Sequence, residues 1–175
     1  GARARRAFDV KNTIYSAKRV IGEPWHSYRA REFCAYYPFD FVPAHHWSRR
    51  GPFDTCRRLW GGWVVTAADG SSVVHAGDTA HGPFLARIGA RHRALGHDMA
   101  VGVLPVGAYA PRRLLRGVHM DPAEAVRAAA DLGVRHVVPV HWGTFVLSGE
   151  PVLEPRERLR TAWVGAGRDP ADLWE

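Results

Sequence analysis

Residues 121–142 read DPAEAVRAAADLGVRHVVPVHW, and this stretch predicts a helix followed closely by a buried strand. Asp121 can cap the helix, Glu124 completes a capping box, and Gly133 ends it. The apolar run VVPV has the composition of a strand buried in a parallel sheet. It ends in His141, at the strand end where α/β folds hold ligands. Two interpretations of His141 follow: a metal ligand or catalytic acid, and a hydrogen-bonded side chain at the rim of the core.

The chain before this stretch continues the alternation of strands and helices. The runs WGGWVVTA and SVVHAGDT are rich in β-forming residues, and the Asp69-Gly70 pair between them is a hairpin signal. PFLARIGARHRAL has helical spacing, and MAVGVLPVGAY is typical of a buried strand. A last helix is expected at 157–164. This order predicts a layered α/β domain.

Composition favours a folded chain with a basic surface. The 175 residues are 46% hydrophobic and 11% aromatic, and the net charge of +7 comes almost entirely from arginine. Such a surface attracts phosphate-bearing substrates, lipid headgroups or nucleic acid, but the absence of a nucleic-acid-binding motif disfavours the last. Apolar runs are too short for a transmembrane segment, and no signal peptide is visible. Cys34 and Cys56 form no C-x-x-C motif, so a reducing cytoplasm is the simpler interpretation, with a single disulfide left open.

Three strand ends carry side chains that can bind metal. These are His46 in VPAHHW, Asp78 in HAGDTA and His141 in VPVHW. Imidazole nitrogens and carboxylate oxygens are common zinc ligands, and a carboxylate can bridge two ions. Strand ends that meet at one sheet edge would bring the three residues together.

The blocks that contain these residues resemble one family. FVPAHHWSRRGPFDTCRRLWGGWVV, AGDTAHGPFLARIG, LPVGAYAPRRLL, HMDPAEAVRAAADLG, VHWGTF and EP are similar to the carboxyl-terminal half of N-acylphosphatidylethanolamine-hydrolysing phospholipase D-like proteins of the metallo-β-lactamase fold. The blocks keep the family's order over residues 41–175. The resemblance implies half of an αβ/βα sandwich with a short extra N-terminal segment. It also implies two zinc ions and hydrolysis of phosphodiesters, or of lactones in related branches.

The resemblance assigns a role to each matching residue. His46 resembles the histidine that completes the first zinc site, Asp78 the bridging carboxylate, and His141 the histidine that completes the second. His119 matches a histidine near the substrate, where it could hydrogen-bond a phosphate or assist proton transfer. A solvent-facing residue just before a helix cap is an equally good interpretation of His119.

Other residues of the blocks carry weaker expectations. Tyr109 and Arg112 match a substrate-binding region, although exposed surface residues would also explain Arg112 and its neighbour Arg113. His45 and His81 stand where relatives often carry glutamine and tyrosine. Either could recruit metal, but ordinary substitution is the simpler interpretation. A strand histidine with its hydrogen bonds satisfied is likewise expected at position 75.

The family's H-x-H-x-D-H motif is absent from this sequence. By resemblance the chain then keeps one histidine for each metal and the bridging Asp78, which is half of a site. We expect a zinc-dependent phosphodiesterase of phospholipase D type, cytoplasmic, with a lipid-headgroup or other phosphodiester substrate and peripheral membrane contact. The alternative is a non-catalytic half-domain that binds partners or forms a homodimer.

The N-terminal segment resembles a second family. KNTIYSAKRVIGEPWHSYRAREFCAYYPFDFV, residues 11–42, is similar to part of the nucleotide-binding domain of DnaK-type chaperones. Lys18 would match a lysine beside the ATP phosphates. The D-x-G-T phosphate loops are absent, however, so a solvent-facing lysine on a helix at 14–21 is favoured over a nucleotide site. These features predict a joined segment at 1–40, from a gene fusion, an assembly chimera or a design, and the hydrolase half at 41–175.

Overall fold

A computed structural model describes residues 27–36, 40–43 and 61–175. Helix α1 spans Tyr28–Tyr36 and strand β1 spans Asp40–Pro43. The predicted helix at 14–21 lies outside the described residues, as do Lys18, His45, His46 and Cys56.

The remaining elements alternate as the sequence predicts. Strands β2 to β5 span Gly61–Thr66, Ser71–His75, Asp98–Pro105 and His136–Val140. Helices α2 to α5 span Pro83–Ala94, Arg112–Leu115, Pro122–Leu132 and Glu154–Gly165, and a 3₁₀ turn covers Pro170–Asp172. None of the described helices is long and apolar enough to cross a membrane.

The strands form one mixed sheet in the order β1-β2-β3-β4-β5. Strands β1, β2 and β3 are antiparallel, and β3, β4 and β5 are parallel. The Asp69-Gly70 hairpin turn is confirmed: Gly70 has φ +87°, and the Asp69 carboxylate accepts the backbone N–H of Ser71 at 2.9 Å. The carboxyl ends of the parallel strands lie at one edge of the sheet, and the candidate site lies at that edge.

The predicted helix that begins after Asp121, α4, is confirmed with its caps. Asp121 accepts the backbone N–H of Glu124 at 2.8 Å, and the Glu124 side chain accepts that of Asp121 at 3.1 Å. Gly133 ends the helix in the left-handed conformation, with φ +77°. The apolar side of α4 packs against α2, α5 and β4. Leu132 is fully buried there, as are Leu159 and Trp163 of α5.

The two faces of the sheet differ in burial. Val64 and Val74 point into the helix-covered core and are each 1% exposed. Their chain neighbours Val65 and Val73 are paired across the strands and point to the other face. They are 49% and 43% exposed. This side of the sheet is therefore apolar and partly open to solvent.

Candidate metal centre

Closely packed backbone just after β3 places Asp78 at the edge of the sheet. Gly77 has φ +72°, and a Cβ built on it would lie 2.7 Å from the backbone oxygen of Gly61. Both the left-handed conformation and the close approach favour glycine. The conformation of Gly77 therefore fixes the direction in which the chain carries Asp78 away from the strand end. The Asp78 side chain is 32% exposed.

His119 contacts Asp78 directly. Its Nδ1 lies 2.8 Å from Asp78 Oδ1. An ionised carboxylate only accepts hydrogen bonds, so Nδ1–H is the donor, and a neutral ring then has its lone pair on Nε2. The backbone holds this pair together, because the N–H of Met120 donates to the Thr79 carbonyl at 3.1 Å. The guanidinium of Arg112 also donates to the His119 carbonyl at 2.9 Å.

His141 approaches the same carboxylate oxygen from the end of β5. Its Nδ1 is 3.7 Å from Asp78 Oδ1, and its side chain is 40% exposed. The backbone at His141 has φ +62°, in the left-handed region that is uncommon outside glycine. The chain of Gly107 passes so closely that a Cβ there would lie 2.1 Å from the His141 carbonyl oxygen. Because glycine has no Cβ, Gly107 lets the chain just after β4 pack against the backbone of His141.

His75, at the end of β3, is expected from the sequence to be a structural strand histidine. Its Nδ1 accepts the backbone N–H of Gly77 at 3.0 Å, so a neutral ring carries its proton on Nε2. Burial lowers the pKa of His75, and the nearby His141 lowers it further. The expected satisfied strand histidine is confirmed by this hydrogen bond, and His75 favours the neutral form beside the site.

Glu150 ties together the two loops that flank His141. Its carboxylate accepts the backbone N–H groups of Ala108 at 2.6 Å and Ala110 at 2.9 Å, and the hydroxyl of Ser148 at 2.6 Å. Burial alone would raise the pKa of Glu150, but the hydrogen bonds from Ser148 and the backbone outweigh it and lower the pKa. The sequence signal was only the short EP block, which gave no role to Glu150.

The two expected substrate-binding residues have intramolecular partners. Tyr109 is 3% exposed, and its hydroxyl donates to Glu154 at 2.7 Å. Burial, followed by this hydrogen bond, raises the pKa of Tyr109. Arg112, besides its bond to His119, pairs with the Glu124 carboxylate at the start of α4. A role for Tyr109 or Arg112 in binding substrate stays a prediction.

The donors that meet here fit part of a metal site. Two ligands of one tetrahedral zinc ion lie about 3.4 Å apart, given metal–ligand distances of about 2 Å. The 3.7 Å between Asp78 Oδ1 and His141 Nδ1 is close to this spacing. Within residues 27–36, 40–43 and 61–175, no group of three or more histidine, cysteine or carboxylate side chains is arranged to hold an ion. The third expected ligand, His46, lies outside those ranges.

Comparison with known proteins identifies the class. Residues 5–142 match the beta-lactamase superfamily domain, and the chain belongs to that superfamily. Its α/β fold with a mixed sheet is that of the metallo-β-lactamase proteins, as the sequence predicts.

Individual relatives show which members of the superfamily the chain is similar to. The chain is 38% identical over 136 residues to the mitochondrial N-acyl-phosphatidylethanolamine-hydrolyzing phospholipase D of Saccharomyces cerevisiae, covering 77% of this chain and 28% of that protein. It is 35% identical over 123 residues to N-acyl-phosphatidylethanolamine-hydrolyzing phospholipase D 1 of Caenorhabditis elegans, covering 68% and 33%. It is 45% identical over 91 residues to a UPF0173 metal-dependent hydrolase of Rubrobacter xylanophilus, covering 51% and 32%. The matches span only about a third of each relative's length.

A solved structure also aligns. Igni18, a metallo hydrolase from Ignicoccus hospitalis, is 27% identical with a TM-score of 0.49, covering 71% of this chain and 45% of that one.

The comparisons do not support the chaperone resemblance of residues 11–42. The superfamily match begins at residue 5 and runs through that segment. The resemblance depended on short spaced patterns without the phosphate loops that give a nucleotide site its chemistry. Such patterns are weak evidence when no binding loop accompanies them.

Proposed function

We propose that this chain contributes the Asp78–His141 edge of a zinc-dependent phosphodiesterase. The observation that carries the proposal is the convergence on Asp78 Oδ1 of His119 Nδ1 at 2.8 Å and His141 Nδ1 at 3.7 Å. This convergence lies at the carboxyl ends of parallel strands, in a chain whose relatives include phospholipases D and metal-dependent hydrolases by name.

Each residue of the cluster has a role in the proposal. His46 would complete the first zinc site and His141 the second, with the Asp78 carboxylate shared between the two. Zinc in such sites polarises phosphoryl oxygens and makes bound water a nucleophile near neutral pH. His119 holds the Asp78 carboxylate through a hydrogen bond from Nδ1–H, as the hydrogen-bond partners of metal ligands do. With both ring nitrogens protonated, His119 could also donate from Nε2 a hydrogen bond to a phosphate oxygen or a proton to the leaving group.

The basic charge suits the proposed substrate class. With 24 arginines and lysines against 17 acidic residues, the chain attracts phosphate-bearing molecules, and a lipid phosphodiester fits both this charge and the named relatives.

The division of the chain near residue 40 and the cytoplasmic location stay predictions.

The test is zinc-dependent hydrolysis of a phosphodiester, with bis(4-nitrophenyl) phosphate and a phosphatidylethanolamine as substrates. Loss of a group that merely hydrogen-bonds a metal ligand typically lowers activity by about 10–100-fold, so loss of a ligand by Asp78→Asn or His141→Ala should lower the rate by at least about a hundredfold. His81 and Asp131 form another histidine–carboxylate pair at 2.8 Å, so His81→Ala and Asp131→Asn are matched controls that should leave the rate unchanged. Undiminished hydrolysis in both site variants would refute the proposal.

A second candidate is a non-catalytic module that pairs through its open sheet face. The observation that favours it is the exposure of Val65 and Val73, at 49% and 43%, on that face. In this case the chain forms a homodimer that Val65→Thr with Val73→Thr dissociates, as sedimentation equilibrium would show. A monomer at all concentrations would exclude this candidate.

A further inference from the structure

The side chain of His141 departs from the alternation of β5. Burial alternates along that strand, and Val137 and Pro139 are its buried residues. Side chains of a strand point to opposite faces in turn, so a continued strand would direct residue 141 towards the same buried side. The left-handed backbone at His141, with φ +62°, ends this alternation. The His141 side chain is instead 40% exposed, with Nδ1 3.7 Å from Asp78 Oδ1, so the direction of its imidazole depends on this backbone conformation.

The chain just after β4 holds one side of this turn. A left-handed backbone is unfavourable for a residue that carries a Cβ, so it persists only where surrounding contacts favour it. The backbone N–H of Val106 donates to the Val140 carbonyl at 3.0 Å, directly before His141. The backbone at Gly107 then packs against the His141 carbonyl. These contacts hold the side of the turn that faces β4.

Trp142 holds the opposite side of the turn. Its indole Nε1–H donates to the Pro139 carbonyl at 3.2 Å. Successive carbonyls of a strand point in opposite directions, and that of Val140 points to the chain after β4, so that of Pro139 points away from it. The Trp142 side chain is partly buried and packs against the core. Its hydrogen bond joins the residue after His141 to the second residue before it, and so spans the left-handed residue.

We propose that Trp142 is a positioning residue that holds His141 in the left-handed conformation and so directs its imidazole to Asp78. Trp142 acts through the backbone of His141, by means of the hydrogen bond to Pro139. The inference deepens the proposed function, and its importance for zinc rests on that function. The conformation of His141 is measured in the metal-free chain, so the inference and the proposed function can fail separately.

The first test is the backbone conformation of His141, measured by NMR with isotope-labelled histidine in the presence of a chelator. The Cα and Cβ chemical shifts report the backbone conformation, and His141→Ala identifies the signals. Trp142→Phe keeps an aromatic ring but removes the N–H donor. We expect the Cα and Cβ shifts of His141 in this variant to move towards those of an extended backbone.

The second test is the zinc affinity of the same variant, measured by calorimetry. Trp142→Phe should weaken zinc binding by about threefold to tenfold, which corresponds to the loss of one side-chain-to-backbone hydrogen bond. Circular dichroism and a thermal melt check that the variant folds.

Trp163→Phe is the matched control. The Trp163 Nε1–H also donates to a backbone carbonyl, at 2.7 Å. This residue lies near the start of β5, because Arg168 stacks on the Trp163 ring and donates to the Val134 carbonyl. Trp163 is fully buried, so the substitution should lower Tm, but it should change neither the His141 shifts nor the zinc affinity. A merely structural role of Trp142 would give this same pattern in Trp142→Phe.

The unaltered chain provides a measurement that does not depend on whether a variant folds. The hydrogen-bonded indole N–H of Trp142 should exchange more slowly in deuterated water than that of Trp174, which is 50% exposed. Equal or faster exchange at Trp142 would contradict the hydrogen bond on which the inference depends.

Two further results would overturn the inference. They are unchanged His141 shifts in Trp142→Phe, and a zinc affinity that this substitution leaves unchanged in a chain that binds zinc. A change of the His141 shifts in a chain that binds no zinc would retain the role of Trp142 in holding His141 and reject the proposed function. Zinc-dependent hydrolysis that is lost in His141→Ala, together with unchanged His141 shifts in Trp142→Phe, would do the reverse.

Discussion

Replacing Glu150 with glutamine should loosen the loops beside the candidate site. The glutamine keeps the size of the side chain but removes the charge, and its amide group would place a donor against a backbone donor. In the folded chain the carboxylate accepts from Ala108 at 2.6 Å, Ala110 at 2.9 Å and Ser148 at 2.6 Å. Hydrogen bonds to a charged group contribute about 1.5–3 kcal/mol each when buried. Water can replace part of this at a partly exposed position, so we expect a total loss of about 2 kcal/mol.

The assay is urea unfolding followed by circular dichroism, together with a thermal melt. For a chain of this size, a loss of about 2 kcal/mol corresponds to a fall in Tm of roughly 4–8 °C. Glu157 is exposed on α5, so Glu157→Gln is the matched control and should change the free energy of unfolding by less than about 0.5 kcal/mol. Equal stability of the two variants would refute the role assigned to Glu150.

The same variant has a defined dependence on pH. The pKa of Glu150 is lowered in the folded state from an ordinary value of 4.5. Its contribution is therefore complete above that value and is lost as the pH falls through the lower, folded pKa. The difference in stability between the unaltered chain and Glu150→Gln should be constant near neutral pH and should shrink only in that acidic range. A difference that grows on acidification would contradict the assignment.

Two further substitutions test the support of the site. Gly107→Ala would place a Cβ 2.1 Å from the His141 carbonyl oxygen, so it should cost about 1–3 kcal/mol in urea unfolding and weaken zinc binding measured by calorimetry. Gly117→Ala, where a Cβ meets open space, should do neither, and similar losses in both variants would contradict the packing argument. Arg112→Gln removes the donor to the His119 carbonyl and should lower the free energy of unfolding by about 1–3 kcal/mol, whereas a simple surface arginine would leave it unchanged.

Local features of the fold can be predicted from the sequence because they depend on residues that are close together in the chain. The capping box of Asp121 and Glu124 joins residues three positions apart, and its chemistry is visible in the sequence. Alternating strands and helices then predict a parallel sheet whose carboxyl ends meet. This arrangement predicts that Asp78 and His141 lie at one edge of the sheet. In the structure, Asp78 Oδ1 lies 3.7 Å from His141 Nδ1.

The interactions that complete the site join distant parts of the chain. Asp78 and His119 are 41 residues apart, and their contact depends on backbone pairing between Thr79 and Met120. Glu150 reaches a backbone N–H that is 42 residues away. Such contacts depend on how loops pack, and no periodicity or turn signal encodes them. The resemblance of residue blocks indicated which residues gather at the site, but it gave no geometry.

Zinc and iron content per chain tests most directly whether Asp78 and His141 hold a metal ion. The chain should be purified without a metal-binding tag, equilibrated with zinc, desalted and measured by elemental mass spectrometry. We predict that bound zinc is lost when Asp78→Asn and His141→Ala are combined, and retained in the matched combination of His81→Ala and Asp131→Asn. An unaltered chain that retains no metal, or a site variant that retains as much as the control, would contradict the account.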